Sequence, residues 1–184
     1  MDTERAERQL RLIAEVVRLA GELNVRVWLR GGWAMDFFLG EVTRDHVDVD
    51  WFAWAHDAAV LRAALLRHGY RPLDGPPPEQ QLDLVKEGEE LSFAWLAEDG
   101  PGRVVVGGGP WAGQPWPAGM LDGTTGRIGR QVCPVVSPAA QIEIKRMMPV
   151  WVPGRPRREK DAADIARLER ALGPSRTASG RVPG

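Results

Sequence analysis

The sequence predicts an α/β (α+β) fold, one mixed sheet flanked by helices. Two period-two runs carry that expectation, one at residues 25–29 passing straight into Gly31-Gly32 and one at 47–52. Helical stripes before, between and after them supply the flanking layers.

Residues 3–23 place Leu10, Ile13, Val17 and Ala20 on one stripe and Leu12, Val16, Leu19 and Leu23 on a second, the spacing of a packed helix that Asn24 stops. Val25, Val27 and Leu29 then alternate with Arg26, Trp28 and Arg30 as a strand, and a short helix over 33–39 ends at Gly40. After a polar loop with Thr43, Arg44 and Asp45, the run Val47-Asp48-Val49-Asp50-Trp51-Phe52 resumes a strand, so Asp48 and Asp50 share one face. A helix over 58–67 follows and ends at Gly69. The chain loosens from Pro72 through three consecutive prolines at 76–78. Strands at 91–96 and 103–106 flank the turn Asp99-Gly100-Pro101-Gly102 as a hairpin. The Gly-, Pro- and Trp-rich stretch 107–119 has no periodicity and reads as a loop able to close over a pocket. A strand at 127–136 leads to Ser137-Pro138, a capping hydroxyl with proline at the first helical position, and a helix to about residue 147. A last helix covers 159–172. One domain over 1–173 is therefore expected, with a disordered polar tail at 174–184.

Composition excludes several classes. No apolar run approaches the ~20 residues that span a bilayer, and the charged amino terminus lacks the apolar core of a secretion signal. A cytoplasmic protein without membrane contact is the expectation. The single Cys133 can form no internal disulfide and reads as a core residue. A net charge of -1 provides no general field for polyanions, so a long nucleic-acid partner is not expected. Charge is nonetheless uneven. Glu79, Asp83, Glu87, Glu89 and Glu90 crowd one segment and Lys145, Arg146, Arg155, Arg157, Arg158 and Lys160 another, as solvated surfaces or as functional ones.

The chemistry concentrates between residues 29 and 50. A glycine pair at a strand-to-helix junction is either a tight turn or a place where backbone amides meet phosphate closely. Two carboxylates at i and i+2 on a strand project in parallel, and such a pair holds hard, oxygen-preferring cations such as Mg²⁺ beside a triphosphate. The apolar Val47, Val49, Trp51 and Phe52 around them imply a core strand rather than a solvated edge.

The ordered series from Leu29-Arg30-Gly31-Gly32-Trp33-Ala34-Met35-Asp36 to Thr43-Arg44-Asp45-His46-Val47-Asp48-Val49-Asp50 resembles the antibiotic nucleotidyltransferases that modify aminoglycosides and lincosamides. A fainter likeness runs through Val136-Ser137-Pro138, Lys145 and Lys160-Asp161-Ala162-Ala163-Asp164. The resemblance implies a polymerase-beta-like fold. It also implies transfer of a nucleoside monophosphate from a nucleoside triphosphate to a hydroxyl of a small-molecule acceptor, with Mg²⁺ held by Asp48 and Asp50. Gly31 and Gly32 would contact the phosphates. Arg44 would neutralise the triphosphate or tie its loop down, and Lys145 and Lys160 would reach the triphosphate or pair with Glu143 or Asp164. The family pattern includes a third carboxylate on a later strand. Here the corresponding residue is Ser92, with Glu90 two positions earlier on the same face as the catalytic substitute. Trp111 and Trp116 are candidates to line the acceptor pocket, and Trp95 for the core. A nucleotide- or partner-binding protein with impaired catalysis, or a toxin-type transferase acting on protein or tRNA, are the rival readings on the same fold.

Overall fold

The computed structural model describes residues 1–154 and 156–173. The expected disordered tail at 174–184 lies outside the described residues. Helix α1 (Thr3–Glu22) opens on Asp2, whose carboxylate accepts from the Arg5 amide at 2.9 Å. Then follow β1 (Val27–Arg30), α2 (Gly31–Leu39), β2 (Asp48–Trp54), a 3-10 turn (Ala55–Asp57) and α3 (Ala58–Arg67). Next come β3 (Arg71–Pro72), β4 (Gln81–Lys86), β5 (Glu89–Glu98) and β6 (Val104–Val106). The chain closes with β7 (Thr125–Ile128), β8 (Gln131–Pro134), α4 (Pro138–Trp151) and α5 (Glu159–Leu172).

The main sheet has the order β1-β2-β5-β4-β3, with β6 added alongside β5. Only the β2–β5 pairing is parallel within it. Strand alternation sends Leu29, Val49, Trp51, Leu82, Leu84, Leu91 and Phe93 to one face, where they pack with α1 and α3 side chains including Leu12, Ile13, Val16, Leu61 and Leu65. The other face carries Trp28, Phe52, Trp54 and Leu96 against Met120, Val136 and Ala140. Each such fully buried large side chain contributes roughly 1.5–3 kcal/mol by leaving water. Towards one end this second face turns polar, and there the candidate site lies. Cys133 is buried as expected, and burial pushes its thiol up to about 12. No helix among the described residues is long and apolar enough to cross a membrane.

Three sequence expectations need correction. Strand β4 was not anticipated, because its alternation places Leu82 and Leu84 inward and the polar Gln81 and Asp83 outward within an acidic, proline-flanked stretch. The single strand expected at 127–136 is the hairpin β7–β8, paired antiparallel with Ile128 opposite Gln131. Residues 107–119 contain a 3-10 turn (Gly109–Trp111) and are strapped to β6. Val106 N donates to Gln114 O at 2.9 Å and Trp116 N to Val104 O at 3.0 Å.

The acidic segment is also divided in space. Glu87 faces Arg11, and Glu89, 2% exposed, accepts from Arg5 Nε and Gln9 Nε2 at 2.9 and 2.8 Å, with Arg8 Nη2 at 3.1 Å. Glu89 thus clamps α1 to the start of β5, one residue before Glu90. Glu89→Ala leaves these donors without their acceptor. We expect a loss of roughly 3 kcal/mol of unfolding free energy at neutral pH, measured by urea denaturation; an unchanged midpoint would remove the clamp from the account.

Candidate active site

Register assembles the site. On β2, Asp48 stands beside Glu90 and Asp50 beside Ser92 of β5, and on the far side of β5 Ser92 stands beside Asp83 of β4. Neighbouring strands lie about 4.8 Å apart, so Asp50, Ser92 and Asp83 form one row across the sheet and Asp48 and Glu90 another. These residues line a cleft of about 840 Å³. Its other wall comes from α4, through Gln141, Lys145 and Met148, and from Arg158 and Asp161 at the start of α5.

Within the cleft Asp50 Oδ1 accepts from Arg30 Nη2 at 3.0 Å, and the Arg30 guanidinium lies over the Phe52 ring at 4.9 Å. Asp48 has no such partner among the described residues. The crowded cleft wall first, and the Asp50 charge second, hold its carboxyl above the usual carboxylate range. The Asp48 side chain is open to water, which weakens the first cause and leaves the like-charge repulsion as the firmer one.

The two glycines do different things. Gly31 has φ +72°, and a Cβ there would stand 2.8 Å from Asp50 Oδ2, so only glycine lets the Asp50 carboxylate lie against the opening of α2. A Cβ on Gly32 would strike the His46 ring and stand 2.6 Å from Arg44 Nη2. Gly31 borders the cleft; Gly32 backs onto the loop leading to β2.

That loop is fixed from beneath. Asp36, wholly buried in α2, accepts from the Thr43 amide at 3.0 Å and the Thr43 hydroxyl at 2.6 Å, and meets His46 Nε2 at 2.7 Å. Arg44 Nη1 lies 3.0 Å from His46 Nδ1. A guanidinium only donates, so Nδ1 is the acceptor and the ring proton sits on Nε2, directed at Asp36. His46 is thus a loop-holding residue, as a histidine in such a turn usually is. Arg44 also donates from Nε and Nη2 to the two oxygens of buried Asp164 at 3.2 and 2.9 Å. Of the two roles open to Arg44, tying the loop down is the one this geometry serves; its guanidinium does not line the cleft.

Lys145 does line the cleft, with its ammonium 2.9 Å from Asp164 and 3.8 Å from Asp161. Lys160 is exposed and outside the lining, yet its charge acts on Asp48. Glu90 is exposed at the cleft. The stretch 107–119 contributes no lining residue. Trp116 packs instead on Phe52 and Trp151, and Trp95 is buried with its indole donating to Pro78 O at 2.8 Å. Sequence reasoning missed Arg30, Gln81 and Gln141 as cleft residues and gave Asp83 only a place in a charged segment. The alternation of Asp83 with Leu82 and Leu84 was the available signal.

A two-carboxylate strand end beside a glycine-opened helix, across a mixed sheet, defines a nucleotidyltransferase-type fold of the polymerase-beta-like kind. The antibiotic-resistance factor ANT(2'')-Ia in solution superposes with a TM-score of 0.70 at 24% identity, covering 94% of this chain and 86% of that one. The lincomycin-bound lincosamide antibiotic adenylyltransferase LnuA gives a TM-score of 0.62 at 22% identity over 84% and 92%. The aminoglycoside-2''-adenylyltransferase family profile matches residues 12–168, and the chain belongs to that family. A 2''-aminoglycoside nucleotidyltransferase of Klebsiella pneumoniae is 48% identical over 92 residues, and one of Escherichia coli 34% identical over the same length. Each match takes in 50% of this chain and 44% of the relative, so the aligned part spans less than half the length of these relatives.

Burial raises the Asp164 carboxyl, but hydrogen bonds and charge from Arg44 and Lys145 outweigh it and hold the group below its ordinary value. A depressed folded-state value means stabilisation that is complete above the unfolded value, about 4, and lost as pH falls through the folded one. Asp164→Asn should therefore cost roughly 3–5 kcal/mol at neutral pH, the gap beginning to narrow as pH falls below about 4 and closing as it passes through the lower folded-state value in denaturant titrations. A gap that persists undiminished in acid would contradict the assignment.

Proposed function

We propose that the cleft transfers a nucleoside monophosphate from a nucleoside triphosphate to a hydroxyl of a small antibiotic acceptor, with Mg²⁺ as the metal and an aminoglycoside as the favoured acceptor class. The observation that carries this reading is the side-by-side placement of Asp48 and Asp50 on the cleft face, next to the opening of α2 that Gly31 clears. Family membership favours a transferase over a binding protein of the same fold or a transferase acting on protein or tRNA. Relatives named for aminoglycosides, and a structure of ANT(2'')-Ia with adenylyl-2''-tobramycin, support the acceptor class.

The donor set fits the metal. Two hard carboxylates with excess negative charge between them, in a cleft wide enough for phosphate oxygens, suit a cation that is usually held by one or two carboxylates plus substrate. When bound, Mg²⁺ would offset triphosphate charge and polarise the phosphorus under attack.

The chain's own groups do the rest. Gly31, at the cleft, and Gly32 behind it would offer the opening amides of α2 to the phosphates. Lys145 from the far wall, and Lys160 from the rim, add point charges to the triphosphate, while Arg44 acts at one remove by fixing the loop that delivers Asp48. Glu90, exposed in the Asp48 row, is one carboxylate that could stand in for the one absent at Ser92.

Each nucleoside triphosphate with Mg²⁺ should be tested for thermal stabilisation of the parent chain and of Asp48→Asn. A ligand at 100-fold its Kd should stabilise the parent by about 2.7 kcal/mol, with the shift absent when either Mg²⁺ or the Asp48 carboxylate is missing. No shift with any triphosphate, or an equal shift in the variant, would sink the proposal.

A further inference from the structure

We propose that Asp83, on β4, supplies the third carboxylate of the site and takes the proton of the acceptor hydroxyl, doing from the neighbouring strand what residue 92 cannot do as a serine. The inference rests on the nucleotidyltransferase reading and assigns a residue within it.

Ser92 lies between Asp50 and Asp83 in one cross-strand row, and all three border the cleft. Two strand spacings put the backbones of Asp50 and Asp83 roughly 9.5 Å apart, with only a small side chain in between. Ser92 puts no charge into that gap. The Ser92 hydroxyl is itself shielded from water and has no hydrogen-bond partner among the described residues, leaving an unspent polar group at the base of the gap.

Asp83 is held for the task. Its Oδ1 accepts from Gln81 Nε2 at 2.7 Å. Its Oδ2 lies against Gly75, so closely that a Cβ there would collide with it. Half-buried and oriented from two sides, Asp83 loses little freedom on meeting substrate. Glu90 differs on each count. It is exposed, it stands in the Asp48 row, and no hydrogen bond fixes its longer side chain among the described residues. Its charge already bears on Asp48.

In the step assigned to Asp83, the acceptor oxygen bonds to the α-phosphorus and the bond from that phosphorus to the bridging oxygen of pyrophosphate breaks. The bonding pair leaves with pyrophosphate. The hydroxyl proton passes to an Asp83 carboxylate oxygen.

The test is turnover of Mg–ATP with tobramycin, and separately with lincomycin, read as adenylylated product by mass spectrometry, with Mg–ATP affinity measured in parallel. Asp83→Asn should lower kcat by about 10²–10⁴-fold, the usual contribution of a positioned base, and leave Mg–ATP affinity within roughly threefold. Adding Ser92→Asp to that variant places a carboxylate in the middle of the row and should recover about tenfold or more of the lost rate. An Asp83→Asn enzyme within about threefold of the parent, or a loss that falls on Glu90→Gln instead, overturns the inference. So does a drop in kcat matched by an equal loss of nucleotide affinity. A parent chain that binds Mg–ATP through Asp48 but modifies neither acceptor overturns the assignment and leaves the nucleotide site standing; one that binds no Mg–ATP overturns the underlying reading.

Discussion

The buried carboxylate of Asp36 is the anchor from which the approach to the cleft hangs. Three donors from the loop between α2 and β2 converge on it, and the loop then runs directly into Asp48. Arg44 extends the same connection to Asp164 on α5, and Asp164 in turn holds Lys145 on α4. One chain of charge-assisted bonds therefore joins the helix before the carboxylates to both helices of the opposite wall. In such a buried network every member depends on the others remaining paired. Much of the family-like series in this stretch, Thr43, Arg44 and His46 among it, serves to aim side chains that lie further on.

The cleft itself is organised around a charge conflict. Asp48 and Asp50 are kept close on one strand face; Arg30 hydrogen-bonds Asp50, while its charge and that of Lys160 ease Asp48 only in part. Such crowding destabilises the empty fold slightly and makes it receptive to positive charge. The apolar layer of Trp28, Phe52 and Trp54 continues the same face and gives the carboxylates a rigid backing. Lys145 balances between Asp164 and the open cleft, so the far wall carries its own cation close to partners that hold it in place.

Much of this was legible in the sequence, for definite reasons. Helix α1 announces itself by periodicity, and β1 and β2 by strict alternation. Ser137-Pro138 marks the start of α4. The pairing of Asp48 with Asp50 on one face follows from strand geometry alone. Strand β4 was obscured because its outward residues are acidic or amide-bearing and its flanks are proline-rich, so alternation looked like a charged linker; with it went Asp83. The turn between β7 and β8 lacks a strong signal, and two strands read as one. The glycine pair shows a further limit. Composition makes Gly31 and Gly32 equivalent, whereas only the folded contacts reveal that one accommodates Asp50 and the other accommodates His46 and Arg44. The stretch at 107–119 looked like a lid because aperiodic glycine and proline do not disclose which backbone groups they will bond.

The parallel pairing of β2 with β5 bears on how the molecule comes together. Antiparallel neighbours can zip from a tight turn, but these two strands meet only after the intervening α3, β3 and β4 have been accommodated. The loop-closure entropy must be met before the contact of Asp50 with Ser92 can repay it, whereas Asp83 meets Ser92 through the local β4–β5 hairpin. Late non-local pairing makes the cleft a property of the completed native state rather than of any early hairpin.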